Sequence, residues 1–397
     1  MERVSCKLGE IVNCLDYKRI PLSSKVRASR KGIYPYYGAQ SIVDYIDDYI
    51  FDGIYMLVAE DGENLRSQNE HIANLVSGKF WVNNHAHILE SNGKCDLRYL
   101  CYYLNTIDVR GYITGSAQPK LNQDNLLSIK LSLPKLEEQT KIADVLDCLD
   151  KKISINIRIN ANLEAMAKLL YDYWFVQFDF PDENGNPYKS SGGKMVYNPT
   201  LKREIPAGWE VQSINNLAQT PKDSINPFEN PERDYKHYSI PAYDVCGSYL
   251  VEKGEDIQSN KYIVSKGQIL VPKLNPWYNR VVLVDSDDDS ICSTEFVILD
   301  ATEDFIKGFL FYVVKTDSFI TYCTKGSTGT SHSQRRVPPE ILKAYNVPYN
   351  KETVSNFTSF VMPQISIINR NLEQIRQLTH LRDSLLPMLM NGQVTVE

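Results

Sequence analysis

The chain has 397 residues, 43% of them apolar and 23% charged, which is the composition of a globular protein with two or three domains. No basic segment leads into an apolar stretch at the start, and no apolar run is long enough to cross a bilayer. The sequence therefore predicts a cytoplasmic protein without a signal peptide or membrane span. The net charge of −6 excludes a uniformly basic surface of the kind that binds nucleic acid.

The cysteines are scattered along the chain and include no C-x-x-C pair. We therefore expect reduced thiols rather than disulfides or a zinc site. Reduced thiols fit a cytoplasmic protein. The eight cysteines are Cys6, Cys14, Cys95, Cys101, Cys148, Cys246, Cys292 and Cys323.

Residues 1–134 predict a mixed α/β domain. Short strands are expected at 55–59 and 80–82, and a helix is expected at 97–106. Residues 17–43 carry six bases and no acid, interleaved with four tyrosines. A basic, aromatic region is typical of nucleic-acid contact, although a solvated loop face is an equally good interpretation.

The span 135–178 predicts one long helix, because it contains no proline or glycine. A heptad pattern fits it, with ten seam positions, of which eight are apolar. The polar two, Asn156 and Asn160, are either buried amides that set the register or surface side chains. Residues 153–159 alternate like a strand, but the strong helix formers on both sides favour a helix. The seam consists of Ile142, Leu146, Leu149, Ile153, Asn156, Asn160, Leu163, Ala167, Leu170 and Trp174.

The segment 179–204 is rich in proline and glycine, which predicts a flexible linker. A second mixed α/β domain is expected at 205–348. Its predicted elements are strands at 268–272 and 296–299 and a helix at 306–315.

The segment 349–397 predicts a second long helix. Its apolar stripe lies between Pro363 and Pro387, and since proline disrupts helix interiors, we expect this helix to start later than the first. A helix of about 40 residues is about 60 Å long. Two such helices would form a rod that holds two domains apart.

The two halves of the chain repeat each other, at offsets of 210 to 214 residues. The pairs are Gly53 and Gly267, Leu89 and Leu299, Pro134 and Pro348, and Ile153 and Ile365. We therefore expect two similar globular units alternating with two helices. Such an organisation suits the reading of a two-part target better than a single catalytic pocket.

Searches for catalytic residues give one alternative function, a stand-alone DNA adenine amino-methyltransferase using residues 275–278. This Asn-Pro-Trp-Tyr segment resembles the substrate motif of amino methyltransferases, but Trp277 replaces its second proline, and 59–63 is a poor S-adenosylmethionine loop. His85 and His87 could ligate a metal, but structural hydrogen bonding is the better interpretation. No phosphate-binding loop or oriented general base is evident. The sequence thus predicts no catalytic residue, metal or cofactor in this chain.

Five segments resemble the specificity subunits of type I restriction-modification systems. They are 133–143 (LPKLEEQTKIA), 163–176 (LEAMAKLLYDYWFV), 204–211 (EIPAGWEV), 267–271 (GQILV) and 381–392 (LRDSLLPMLMNG). Their order is that of the family, and they cover essentially the whole chain. The distal helix departs from the pattern, because Pro363 stands where the central copy has Lys151 or Lys152.

The resemblance implies a mixed α/β fold with two target recognition domains, separated by two long antiparallel helices. Each domain would read one half of a bipartite double-stranded DNA target. The subunit would be non-catalytic, and its partners would be two modification (methyltransferase) subunits and two restriction/translocase subunits. S-adenosylmethionine, ATP and Mg²⁺ would bind to those partners.

DNA contacts are expected in loops, where Arg can fork onto guanine and Lys can reach phosphates. A solvated charge is the alternative for each residue. The candidates in the first domain are Lys25, Arg27, Arg30, Lys31 and Lys120, and those in the second are Trp277, Arg280, Ser331, His332, Arg335 and Arg336. The aromatic cluster Tyr171, Tyr173, Trp174 and Phe175 is expected either to bind a partner subunit or to pack in the core.

Overall fold

A computed structural model describes residues 2–39, 41–115, 118–329 and 334–396. The chain divides into two compact units. The first unit comprises Met1–Lys152 and Leu378–Glu397, and the second comprises Ile153–Gln377. Both units are mixed α/β, as the sequence predicts. Among the described residues, no helix combines the length and apolarity needed to cross a membrane.

The described residues of the first unit form a six-stranded and a two-stranded sheet. Its strands are β1 (Arg3–Lys7), β2 (Val12–Cys14), β3 (Lys31–Tyr37), β4 (Ile42–Ile46), β5 (Phe51–Ala59), β6 (Ala73–Val82), β7 (Ala86–Ser91) and β8 (Lys130–Pro134). Its short helices are α1 (Ser24–Ser29), α2 (Asn64–Ser67), α3 (Leu97–Leu104) and α4 (Gln123–Ser128). The order in the larger sheet is β2-β7-β5-β6-β3-β4, and β1 pairs with β8.

Strand β5 lies inside the larger sheet and is buried on both faces. Met56 and Val58 pack in one hydrophobic cluster and Leu57 packs in another, because successive side chains of a strand point to opposite faces. The strands predicted at 55–59 and 80–82 and the helix predicted at 97–106 are confirmed as parts of β5 and β6 and as α3.

The first long helix, α5, comprises Leu136–Tyr171 and is followed by a π-helical turn at Asp172–Val176. The predicted helix is confirmed, including residues 153–159, whose alternation suggested a strand. Ile142 and Leu146 of its seam are buried in the core of the first unit.

In the part of the second unit that the structure describes, the strands form four sheets. Its strands are β9 (Met195–Asn198), β10 (Arg203–Pro206), β11 (Glu210–Ser213), β12 (Ala218–Gln219), β13 (Ser224–Ile225), β14 (Asp234–Tyr238), β15 (Leu250–Lys253), β16 (Lys261–Ile263), β17 (Ile269–Pro272), β18 (Val282–Leu283), β19 (Ser290–Cys292), β20 (Phe296–Ala301) and β21 (Asn346–Tyr349). Its short helices are α6 (Ile214–Leu217), α7 (Ile240–Cys246), α8 (Lys307–Val313), α9 (Asp317–Gly326) and α10 (Pro339–Lys343). The sheets are β9-β10, β11-β21, β12-β20-β17-β18 and β13-β16-β19-β14-β15.

The second long helix, α11, comprises Lys351–Met390 and passes through both of its prolines. The second long helix predicted within 349–397 is therefore confirmed, and the later start expected from Pro363 is wrong. Proline removes one backbone hydrogen bond, but Val361 and Ile365 on either side are buried in the core of the second unit, and this burial favours a continuous helix. The helix starts after Asn350, whose side chain accepts a hydrogen bond from the Thr353 amide at 3.0 Å.

Within the second unit, α5 and α11 pair in antiparallel fashion through buried amides. The Asn371 Nδ2 donates to Asn160 Oδ1 at 2.8 Å, and Asn160 Nδ2 donates to the Ile368 carbonyl at 3.3 Å. The Asn156 Nδ2 donates to Gln374 Oε1 at 3.2 Å. Both seam asparagines are buried. This confirms that they are buried amides with partners in the facing helix rather than surface side chains.

The internal repeat is confirmed by strand pairing. Leu89 of β7 pairs with Met56 of β5, and Leu299 of β20 pairs with Ile269 of β17 in the same antiparallel sense. The two prolines that precede the long helices also occupy matching positions. Pro134 pairs with Arg3, and Pro348 pairs with Val211.

The segment 179–204, predicted as a flexible linker, carries regular structure in the form of β9 and the start of β10. The Arg203 guanidinium of β10 donates to the Val176 carbonyl at 2.9 Å and lies 4.5 Å from the centre of the Phe178 ring. A cation at the carboxyl end of a helix stabilises its last carbonyls. Arg203 thus anchors the hairpin to the end of the first long helix.

We expect Asn160→Leu to destabilise the second unit by about 1–3 kcal/mol, because it leaves the buried Asn371 amide without a partner. Asn160→Leu combined with Asn371→Leu should recover much of this loss, since both polar groups are then removed. Urea unfolding followed by circular dichroism measures both effects. Asn162→Leu, on an exposed position of the same helix, is the control. An equal cost for Asn160→Leu and Asn162→Leu would contradict the assignment.

Candidate nucleic-acid interface

Three of the four bases predicted at 25–31 are held by acids of the facing strand and turn. The Lys31 Nζ lies 2.5 Å and the Arg27 Nε 3.4 Å from Asp44. The Arg30 guanidinium lies 2.9 Å from Asp47. Hydrogen bonds from Lys31 and the Tyr45 amide lower the pKa of the Asp44 carboxyl. Lys25 is exposed and has no ion-pair partner among the residues that the structure describes.

Aromatic rings fix the planes of the two arginines. The Arg27 guanidinium lies 5.0 Å from the centre of the Tyr36 ring, and that of Arg30 lies 5.2 Å from the Trp81 ring. Stacking of this kind restricts the orientation of a guanidinium. The structure therefore brings these predicted residues together on α1 and the β3–β4 hairpin as oriented cations.

Lys120 lies in a different loop of the first unit. Its backbone N–H donates to the Thr114 carbonyl, and the Thr114 N–H donates to the Lys120 carbonyl, both at 2.8 Å. The Lys120 Nζ is about half-exposed and lies 3.1 Å from the Glu60 carboxylate. Backbone bonds thus close the loop, and an acid orients its cation.

A largely buried chain of charges lies behind this lysine. The Glu60 carboxylate also accepts a hydrogen bond from Arg19 at 2.7 Å, and Arg19 lies 3.1 Å from Asp16. The same carboxylate oxygen of Asp16 lies 2.6 Å from His87 Nδ1, and His87 Nε2 lies 2.7 Å from the Leu121 carbonyl. The structure thus assigns His87 to a hydrogen-bonded network that ends beside the Lys120 loop.

Cys14, Asp16 and His87 form the group most similar to a metal site within the described part of the chain, with ligand atoms within 4.8 Å of one another. Both ring nitrogens of His87 already face oxygen acceptors. Burial raises the pKa of the Cys14 thiol to about 12, which disfavours the thiolate that binds metals. These three groups therefore suit a hydrogen-bonded cluster better than a metal site.

In the second unit, Arg336 occupies the same place as Lys120. It exchanges two backbone hydrogen bonds with Thr328, at 2.8 and 2.9 Å. Its guanidinium makes a two-point contact with the Glu295 carboxylate, at 3.0 and 3.2 Å. Such a contact fixes the plane of the guanidinium.

Arg335 and Arg280 are engaged within the protein. The Arg335 Nη2 donates to the Ser327 carbonyl at 2.7 Å, which directs it at its own loop. The Arg280 guanidinium makes a two-point contact with Asp244 at 2.6 and 2.8 Å and lies 4.4 Å from the Tyr278 ring centre. Contact of Arg335, Arg280 and the half-buried Trp277 with DNA stays a prediction.

The segment 275–278, considered above as a methyltransferase motif, helps to close the loop between Thr328 and Arg336. Asn275 has a left-handed backbone, with φ of 50°. Its N–H donates to the Arg335 carbonyl at 2.7 Å, and its side-chain oxygen accepts from the Arg335 N–H at 3.2 Å. The amide that a methyltransferase would aim at its substrate is thus bonded to the protein backbone. Ser331 and His332 lie outside the described residues.

The aromatic cluster at the end of α5 is mostly core. Tyr171 and Phe175 are buried, with Phe175 4.7 Å from Phe309 between ring centres. Of the two alternatives, core packing in the second unit is therefore the one observed for this pair, and a partner contact is not. Trp174 is half-buried and Tyr173 is exposed. A partner contact through the latter two stays a prediction.

An apolar stripe, by contrast, is exposed on α5 and its π-helical extension. Its members are 39 to 64% exposed and repeat at the three- and four-residue spacing of one helix face, apart from one seven-residue step. They are Ile155, Ile159, Met166, Leu169, Tyr173 and Val176. Exposed apolar residues that line up along one helix face are typical of interaction surfaces.

The sequence reasoning missed the acids and the network behind Lys120. Asp44 and Glu60 are distant in sequence from the bases they hold, and only the strand pairing brings them together. No local pattern could have identified Arg19 as the link between Asp16 and Glu60. The internal repeat could have shown that Lys120 and Arg336 are equivalent, since the Gly-Ser loops that precede them recur in both halves.

The chain is similar to several known proteins. A family model described as the type I restriction modification DNA specificity domain matches residues 2–165. A protein of Haemophilus influenzae is 36% identical over 142 residues, which is 36% of each chain. The type I restriction enzyme MjaIX specificity subunit of Methanocaldococcus jannaschii is 26% identical, over 75% of this chain and 69% of the relative.

Two further similarities extend over most of the chain. The HindI specificity subunit of Haemophilus influenzae is 23% identical, over 86% of this chain and 84% of the relative. The crystal structure of a type I restriction-modification S subunit from M. genitalium has a TM-score of 0.67 at 13% identity, and the match covers 98% of this chain and 96% of that one. This likeness is one of fold.

We expect Asp16→Asn to lower the stability of the first unit at neutral pH and to flatten its loss in acid. Burial raises the pKa of the Asp16 carboxyl, but the hydrogen bond and charge of His87 lower it more, and the net shift is downward. A depressed pKa gives stability that is present above the unfolded value of about 3.9 and is lost as the pH falls through the folded value. Thermal unfolding between pH 7 and pH 3 measures this, with exposed Asp52→Asn as the control. A parallel pH dependence of Asp16→Asn and wild type would contradict it.

Proposed function

Because this chain belongs to the family of type I restriction-modification specificity subunits, we propose that it reads a bipartite DNA duplex and has no catalytic site of its own. Each unit would read one half of the target. The observation that carries the proposal is the repeated loop, which presents Lys120 in the first unit and Arg336 in the second at the same position of the fold.

The chemistry of these loops supports recognition of a polyanion whose bases present a defined pattern of hydrogen-bonding groups. The contact with Glu295 fixes the plane of the Arg336 guanidinium, and a guanidinium held in this way can donate two hydrogen bonds to guanine. Lys120 presents a point charge, which suits a phosphate or a guanine. In both loops the cation is paired with an acid, Glu295 or Glu60. Each acid favours one orientation of its cation and discourages non-specific attraction to phosphates.

The overall negative charge does not oppose this function. Three of the four bases of 25–31 are paired with Asp44 and Asp47 of the facing strand and turn, so this region offers a few oriented cations rather than an excess of positive charge. The methyltransferase alternative is not favoured, because Asn275 already bonds to Arg335 on both backbone and side chain.

We further propose that methyl transfer and cleavage are carried out by partner subunits. The modification subunits would bind S-adenosylmethionine, and the restriction/translocase subunits would use ATP and Mg²⁺. The exposed stripe of α5 is the surface we assign to a modification subunit, since apolar helix faces pack against partner helices. The helices would set the spacing between the half-sites.

Arg336→Ala tests the reading of separate half-sites. We expect it to weaken binding to one half of the target by about 1–3 kcal/mol and to leave the preference for the other half unchanged, because it removes a fork onto base edges. Binding to a duplex library with both halves randomised, in the presence of the modification subunit, measures both preferences. Lys189→Ala, at an exposed position without an ion-pair partner among the described residues, is the control. Equal loss at both halves would contradict separate readers.

Leu169→Glu tests the docking surface. A charge in the middle of the apolar stripe should weaken association with the modification subunit by at least about tenfold, because the charge would be desolvated on binding. Analytical ultracentrifugation of the mixed subunits measures the association. Ala161→Glu adds the same charge to an exposed position off the stripe and should leave association intact. If Leu169→Glu associates as well as Ala161→Glu does, the partner binds elsewhere.

A further inference from the structure

The repeat places a second pair of equivalent positions beside Lys120 and Arg336. The Glu60 N–H donates to the His85 carbonyl at 2.9 Å in the first unit, and the Lys273 N–H donates to the Glu295 carbonyl at 2.8 Å in the second. His85 and Glu295 thus occupy one position of the fold, immediately before β7 and β20.

This position is joined to the reading loop in both units by β-bridges. Lys120 bridges to Asp61 in the first unit, and Arg336 bridges to Leu274 in the second. Both bridging residues follow directly after those that bond to His85 and Glu295. The side chains at this position differ in chemistry but share a location at the edge of the loop.

His85 exposes one ring nitrogen to a ligand. Its Nδ1 lies 2.7 Å from the Asp61 carboxylate, and the imidazole is 49% exposed. An ionised carboxylate only accepts hydrogen bonds, so Nδ1 carries a proton and Nε2 is the atom left for a ligand. The Nε2 has no hydrogen-bond partner among the described residues. In the neutral ring, Nε2 accepts a hydrogen bond, as from the amino group of adenine or cytosine.

Glu295 acts through Arg336 instead. It uses both carboxylate oxygens to hold the Nε and Nη2 of Arg336, at 3.0 and 3.2 Å. The remaining N–H groups of that guanidinium are left to donate to the N7 and O6 of guanine. Glu295 is therefore placed as a positioning residue for a guanine reader.

We propose that the position of His85 and Glu295 determines base specificity in the two half-sites. His85 accepts a hydrogen bond from an amino-bearing base in one half, and Glu295 orients Arg336 onto a guanine in the other. This inference rests on the proposed function, because it requires each unit to read DNA.

The test is sequencing of methylated DNA from cells that express the full chain with its modification subunit. We expect His85→Ala to relax the preference at one base of one half-site by about fivefold or more. Glu295→Ala should relax a guanine preference in the other half by a similar factor. Glu295→Gln, which keeps one acceptor for Arg336, should lose less.

Matched controls separate specificity from folding. His71→Ala and Glu303→Gln change exposed residues of the same types whose side chains have no hydrogen-bond partner among the described residues, and both should leave the methylated motif unchanged. Thermal unfolding of His85→Ala and Glu295→Ala should follow wild type, whereas a merely structural role would lower the midpoint without altering one base preference.

Two results would overturn the inference. A bipartite motif from wild type that persists unaltered in His85→Ala and Glu295→Ala would remove it while leaving the proposed function intact. Relaxation in both half-sites by either variant would also overturn it, because the position would then act on the whole assembly. A wild-type complex that methylates no bipartite motif would defeat the proposed function itself, and the inference with it.

Discussion

The pairing of α5 with α11 in the second unit is the constraint on which the rest of that unit depends. Apolar contacts along a helix seam tolerate sliding, because one leucine replaces another with little change in buried area. The bond between Asn160 and Asn371 does not tolerate it, since a shifted register would leave two buried amides unsatisfied. The asparagine pair therefore restricts the two helices to a single register.

The same logic of satisfied polar groups governs the surface. Most of the arginines and lysines that we propose for DNA contact are paired with acids in the folded chain, as Arg30 is with Asp47 and Arg336 is with Glu295. Exposed ion pairs of this kind add little stability. Their effect is to orient the cations, so that a protein with net negative charge can still present a few bases in defined directions.

Much of the fold could be predicted from the sequence, namely the elements whose apolar residues recur at a regular spacing. The seam of α5 and the strands of β5 and β17 follow directly from spacing, because burial imposes a repeat on the residues. The continuation of α11 through Pro363 could not be predicted in this way, since it depends on tertiary burial of the flanking residues. Local proline and glycine content likewise concealed the β9–β10 hairpin.

The candidate site was predictable only in part, for a related reason. Basic residues such as Arg27 are visible in sequence, but the acid that holds each one depends on strand pairing between distant segments. Arg335 shows the limit most clearly. It is adjacent to Arg336 and equally basic, yet its guanidinium faces the Ser327 carbonyl of its own loop.

The backbone closure of the two loops has a consequence for how such a protein changes over evolutionary time. The bonds between Thr114 and Lys120, and between Thr328 and Arg336, join main-chain atoms that every residue except proline possesses. Side chains at 120 and 336 can therefore be exchanged without loss of the loop's shape. New surface chemistry becomes accessible through single substitutions, and each unit can vary independently of the other.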